Sequence, residues 1–141
     1  MSSALLIEEV EAALIEILER LKEEGFIAAI ARRSLPPVYP RAMLLLKEVR
    51  IERRTIGGSE FSVTQEYEIV IESSRPDHAL QVEEVVRAAI RTMELLLTAG
   101  PRTVGDRPFD VFPYEMRRVE LLESGRMSTL AAVLVRAHVG W

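Results

Sequence analysis

AMLLLKEVRIERRTIGGSEFSVTQEYEIVIES, residues 42–73, decides how this chain folds. Val49, Ile51, Phe61, Val63, Tyr67, Ile69 and Ile71 recur there at every second position. Lys47, Glu48, Arg50, Glu52, Thr64, Glu66, Glu68 and Glu72 fill most of the remainder. A period of two marks strands with one packed face and one wet face. Between the runs, Gly57-Gly58 gives the backbone freedom for a tight reversal, so an antiparallel hairpin is expected over 42–73. Each run is longer than the roughly five or six residues of an ordinary strand, so the tip is expected to project beyond the domain body.

Upstream, Ser2 or Ser3 can cap a helix over 3–24. Leu6, Ile7, Val10, Leu14, Ile17, Leu18 and Leu21 fall at three- and four-residue spacing, which makes one apolar stripe. Glu16, Glu19, Arg20, Glu23 and Glu24 take the other side, and Gly25 is the natural stop. FIAAIARR, residues 26–33, reads equally as a second helical turn or a short extended segment. SLPPVYP, residues 34–40, holds three prolines and reads as a stiff connector.

Downstream, Asp77 is placed to cap a second helix over 78–98. Its expected buried stripe is Val82, Val85, Val86, Ala89, Ile90, Met93, Leu96 and Leu97, and Gly100-Pro101 ends it. PRTVGDRPFDVFP, residues 101–113, reads as a long loop that Phe109, Val111 and Phe112 could anchor. A second antiparallel pair is expected over 114–140, turning at Ser124-Gly125-Arg126. In its last strand, Leu130, Ala132 and Leu134 alternate with Ala131, Val133, Val135, Ala137 and Val139. Both faces are therefore apolar and both need cover. The fold class that follows is α+β: a four-stranded, mainly antiparallel sheet, two helices packed on one face, and a long projecting β-hairpin. A second subunit is the economical cover for the other face; the proline-rich loops or the N-terminal segment are the internal alternative.

At 141 residues the chain suits one domain, 1–141. With 48% hydrophobic and 28% charged residues, it has the composition of a soluble globular protein. A net charge of −4 argues against a dedicated nucleic-acid binder. Cys is absent, which removes disulfides, thiolate metal sites and thiol nucleophiles. Glu8, Glu9 and Glu11 interrupt the first apolar positions, so no signal peptide is expected, and no run is apolar enough to span a membrane. Lys occurs only at positions 22 and 47, and Asn is absent, as in a GC-rich genome or a thermophilic source.

The chemical inventory is sparse. His78 and His138 have no partner motif, and neither a nucleophile elbow nor a phosphate-binding glycine loop is present. No catalytic, cofactor-binding or metal-ligating residue is therefore expected. Arg32, Arg33, Arg50, Arg53 and Arg54 could serve as phosphate contacts. However, Glu48, Glu52 and Glu60 interleave with the hairpin arginines, and stacking aromatics are lacking around them. Ion pairs of Arg50 or Arg53 with Glu66 or Glu68 are the expected use of these charges.

The order helix, proline connector, long hairpin, helix, loop, strand pair resembles the tail terminator (tail completion, tail-to-head joining) proteins of long-tailed bacteriophages. The resemblance rests on pattern and length over most of the chain. It is carried by the Leu-rich helix up to Gly25, VYP leading into AMLLLKEVRIE, EYEIVIES, the helix 82–97 and LAAVLVRAHV. It implies a structural, non-enzymatic virion protein assembled in the host cytoplasm, without cofactor or membrane. Its subunits would form a hexameric ring that caps the tail tube, stops its polymerisation and meets the head connector. DNA would pass through the lumen without sequence-specific contact. Arg50, Arg53, Arg54, Glu66 and Glu68 would then mediate subunit or tube contacts, with Phe109 and Phe112 in a second docking element. Another neck, head-completion or tail tube protein shares such a pattern. The competitor from a different class is a small dimeric α+β enzyme or ligand-binding domain, which needs a pocket of convergent polar groups.

Overall fold

The structure, a computed structural model, describes residues 3–31, 38–53, 61–74, 77–98, 102–104, 107–123 and 126–140. Side chains are described within 7–31, 38–52, 63–74, 77, 79–98 and 131–137. The elements run α1 (Ser3–Glu23), β1 (Ala29–Ala31), β2 (Arg41–Arg53), β3 (Phe61–Ser73), α2 (His78–Thr98), β4 (Arg102–Val104), β5 (Arg107–Glu123) and β6 (Arg126–Gly140). The fold is α+β. One mixed sheet has the order β1-β2-β3-β6-β5-β4, with β1 parallel to β2 and every other pairing antiparallel. Four long strands form its body, and two three-residue strands are added at its edges. The last strand, β6, lies between β3 and β5.

Each helix end has a local cause. Gly25 adopts φ +83, the left-handed conformation that suits glycine. The amide of Phe26 donates to the carbonyl of Leu21 at 3.0 Å, and that of Gly25 to Lys22 at 3.1 Å. This is a Schellman closure, and it satisfies carbonyls the helix would otherwise leave open. At the other helix, Asp77 Oδ1 accepts from the amides of Ala79 (2.8 Å) and Leu80 (3.4 Å), the geometry of an N-cap. Within segment 26–33, residues 29–31 form β1, beside which the amide of Ala28 donates to the carbonyl of Pro40 at 2.7 Å. Ser34 to Val38 of the proline connector lie mostly outside the described residues, as do the Gly57-Gly58 turn and Ser124-Gly125.

One core joins both helices to one side of the sheet. Val10, Leu14, Ile17, Leu18 and Leu21 of α1 meet Val85, Ala88, Ala89, Leu95 and Leu96 of α2. Beneath them lie Ala42, Val63, Tyr67, Ile69 and Ile71, with Ala131, Val133, Val135 and Ala137 from β6. The stripe on α1 is as expected. On α2 it is rotated: Ile90 and Leu97 are exposed, and Ala88, Thr92 and Leu95 point inward. Small residues on both α2 and β6 allow a close approach, and Thr92 satisfies its buried hydroxyl on the Ala88 carbonyl at 2.7 Å.

Three expectations are corrected. Residues 102–104 and 107–113 are strand rather than loop, because β4 pairs with the start of β5, which runs back to Arg107 rather than beginning at 114. Pro113 is tolerated because the β5 register shifts between Pro113 and Glu115, a bulge that accommodates a residue with no amide hydrogen. Second, projection of the hairpin is not confirmed: its tip, residues 54–60, lies outside the described residues, and the described parts of its strands do not stand free. β6 flanks β3 from Ser73 to Ser62, so both hairpin strands belong to the sheet. Third, Val49 and Ile51 do not sit on a packed face; they are 40% and 68% exposed. They do point to the helix side, but no helix reaches that far along β2. Thr64, assigned to the wet face, is buried at mid-sheet.

Candidate functional site

The side of the sheet opposite the helices is a charged ladder. Register alone places Arg41, Glu72 and Leu130 in one row, Leu45, Glu68 and Leu134 in another, and Glu48, Glu66 and Arg136 in a third. Within this frame Arg41 donates to Glu72 at 2.6–2.7 Å, with both side chains largely buried, and its guanidinium lies 4.6 Å over the Tyr39 ring. Lys47 reaches Glu68 at 3.5 Å. Glu66 Oε1 accepts from Arg50 at 3.0 Å and from Arg136 at 2.9 Å. The Arg136 hydrogen bond, aided by the charges of Arg136 and Arg50 and opposed by partial burial, holds the Glu66 carboxyl below its ordinary value.

Of the residues singled out by sequence, Arg50, Glu66 and Glu68 are thus brought together on one face. Arg53 ends β2 opposite Phe61, and its side chain is outside the described set, as is Arg54 entirely. Phe109 and Phe112 occupy β5 positions opposite Val139 and Arg136, again without described side chains. Sequence reading missed Arg41, Lys47 and Arg136. The one available signal for Arg136 was a lone cation inside the otherwise apolar run LAAVLVRAHV.

On the helix side, the distal part of β2 is bare. Leu46 and Val49 are 39% and 40% exposed, while Val63, Gln65 and Ala137 deeper in the sheet are buried. The outer edge of β2 is bare as well. β1 pairs only with Arg41, Ala42 and Met43, so residues 44–53 have no outer strand among the described residues. The opposite edge repeats the arrangement: β4 pairs with Arg107, Pro108 and Phe109, and from Asp110 onward β5 has no outer strand among the described residues. An unpaired row of amides and carbonyls beside exposed apolar side chains is suited to receiving another strand.

Beside the bare part of β2, on the neighbouring strand β3, lies a small polar element. The Tyr67 hydroxyl donates to Gln65 Oε1 at 2.6 Å, both side chains are fully buried, and Gln65 Nε2 meets no acceptor among the described residues. Burial first, and the charge of Glu11 second, push the Tyr67 phenol upward, which keeps it a neutral donor.

A cleft of about 440 Å³ opens at the other end of the molecule, lined by Glu24, Gly25, Phe26, Pro40, Leu80, Glu83, Glu84 and Arg87. Its carboxylates are already engaged. Glu24 accepts from Arg91 at 2.7 Å, a hydrogen bond that lowers its carboxyl, and Glu84 accepts from Ser73 at 3.2 Å. The Glu24 carboxyl, held ionised in this way, is a poor proton donor near neutral pH. Among the described residues no group of three or more His, Cys, Asp or Glu is placed to hold a metal ion. The side chains of His78 and His138 fall outside that set. No described helix is long and apolar enough to cross a membrane.

No family model matches the chain, and no curated protein matches it. Solved structures do match. One is a protein whose name carries no functional meaning; it is 14% identical, with a TM-score of 0.59, covering 97% of this chain and 96% of its own. At that identity the likeness concerns the fold alone, and it extends over nearly the whole of both chains.

Proposed function

We propose that the chain is a structural virion protein, the tail terminator of a long-tailed bacteriophage. Six copies form a ring that caps the tail tube, stops its polymerisation and joins the tail to the head connector. The subunits fold in the host cytoplasm and then join the virion. The observation that carries this reading is the bare distal half of β2. Leu46, Val49 and Ile51 stand exposed there on the side of the sheet that the helices pack elsewhere. Exposed apolar residues grouped on one element mark an association surface, and a head-to-tail ring covers the same patch in every copy. The ion-pair ladder through Glu66 fits that role, since charges at an interface fix register and reject wrong partners. A net charge of −4 suits a wall past which DNA slides without binding.

Light scattering coupled to size exclusion, with negative-stain imaging, tests the proposal. Six-fold rings are expected, together with arrest of growing tail tubes when the protein is added. A stable monomer that binds neither tube nor connector overturns it.

A further inference from the structure

We infer that the subunit pairs two-fold with a second copy through the outer edge of β2 before it meets the tail tube. Residues 49–53 of each chain lie antiparallel about an axis through Ile51. The pairing follows from the edge itself; its place ahead of ring closure rests on the ring proposed above. Residues 44–53 have no outer strand among the described residues, and from Glu48 to Arg53 the register with β3 is unbroken. Ile51 is the most exposed large hydrophobic residue among those described, at 68%. A regular unpaired edge beside exposed apolar side chains is suited to strand addition. Two copies of one strand that add to each other antiparallel are related by a two-fold. With that axis normal to the sheet, both copies keep their helices on one side and their charged ladders on the other.

Register selects the axis. With the two-fold at Ile51, each Arg50 faces the partner's Glu52 and each Val49 the partner's Arg53, so no like charges stand opposite. An axis at Arg50 or at Glu52 would set that charge against its own copy. An axis at Val49 would pair Arg50 with Glu48. However, counting the extra residue at Lys47, it brings the partner's Arg53 beside Leu44 and the partner's turn beside Met43, where β1 already lies. The axis at Ile51 clears β1. The partner's β2 ends opposite Val49, and its turn has the stretch from Glu48 back to Leu44 in which to reverse. Arg50 keeps 46% exposure while it reaches Glu66, and Glu52 is exposed, so both can meet a partner. Strands this short make a contact that is small beside the roughly 1,200–2,000 Å² of a stable interface. The pair is therefore weak and reversible, and it covers part of the strip that ring closure needs.

Ile51→Cys tests this in a chain that has no cysteine of its own. Across the axis the two positions are direct neighbours, roughly 4.5–5.5 Å between Cα atoms, within the span of a disulfide. Mild oxidation is expected to give a covalent dimer, and nothing larger, that reductant collapses. Val49→Cys, displaced from its copy by about 13 Å along the strands, should not cross-link. Neither should Leu97→Cys, which is as exposed on α2. In sedimentation equilibrium Glu52→Arg should weaken the dimer roughly tenfold, since it sets like charges opposite on both sides of the axis. The oxidised dimer should neither close rings nor arrest tubes, and reductant should restore both. Rings and tube arrest by wild type, with no Ile51→Cys dimer or with oxidised dimers that still assemble, overturn this inference and leave the terminator reading intact. A dimer that cross-links and responds to Glu52→Arg, in a protein that never engages tubes, overturns the terminator reading and leaves the pairing standing. A protein monomeric at all concentrations, alone and with tubes, overturns both.

Discussion

Arg136 on β6 stands 2.9 Å from Glu66 on β3, and the same carboxylate oxygen also accepts from Arg50 on β2 at 3.0 Å. One carboxylate thereby ties three neighbouring strands together at a position where the hairpin has little helix cover. Replacing it leaves two guanidinium groups facing each other without their common partner. Glu66→Gln is expected to cost about 1 kcal/mol, because a partly exposed ion pair contributes modestly. Urea unfolding of the two proteins measures it, and no loss would mean that solvent already screens the cluster.

The same cluster gives a pH dependence with a definite sign. The folded-state value of Glu66 lies below the ordinary 4.5. Its stabilisation is therefore fully present above the unfolded value and is lost as pH falls through the folded one. The melting-temperature gap between wild type and Glu66→Gln should be flat at pH values well above 4.5 and close as pH falls below it. A gap that persists unchanged in strong acid would assign the effect to packing instead.

Tyr67 and Gln65 should behave as a unit. Tyr67→Phe removes the hydroxyl that donates to Gln65 at 2.6 Å and strands a buried carbonyl oxygen, at a cost of roughly 1–3 kcal/mol. Gln65→Leu also removes the amide nitrogen that has no acceptor among the described residues, so the double variant should be closer to wild type than Tyr67→Phe alone. Simple additivity in the double-mutant cycle would show that the pair does not interact.

The two helix ends predict costs of similar size from different causes. A Cβ on Gly25 meets nothing within 4 Å, so Gly25→Ala suffers only from the positive φ, about 1 kcal/mol. Asp77→Ala loses the cap of α2, again about 1 kcal/mol. Gly25→Asn should recover part of the first loss, since asparagine tolerates that conformation better. Chemical denaturation of the three variants gives the order directly.

Charge reversal at the end of β2 probes assembly. Arg53→Glu/Arg54→Glu should impair ring formation while leaving the far-ultraviolet circular dichroism unchanged. Rings of normal yield would remove this end of the hairpin from the subunit or tube contact.

Most of the architecture was legible because periodicity is a backbone property. The alternation in 42–73 marked β2 and β3, and the stripe from Val10 to Leu21 marked α1. What alternation does not reveal is whether a helix lies above a given residue. Val49 and Ile51 carry the same pattern as Ile69 and Ile71 but remain exposed. The start of β5 was hidden by Pro108 and Pro113, which read as loop until the bulge beside Pro113 is seen. Arg136 was missed because its partner Glu66 lies 70 positions away, a contact that only the completed sheet creates.

The position of β6 sets the timing of the subunit's completion. Among the described residues, β3 and β5 pair with this strand and not with each other, and it follows all the other described elements. The sheet therefore cannot be completed before β6 is made, because earlier lengths of chain hold two strand sets with no strand between them. A nonsense codon ahead of Arg126 would do more than shorten the protein: it would leave β3 and β5 each with a bare edge, free to pair with the wrong molecule.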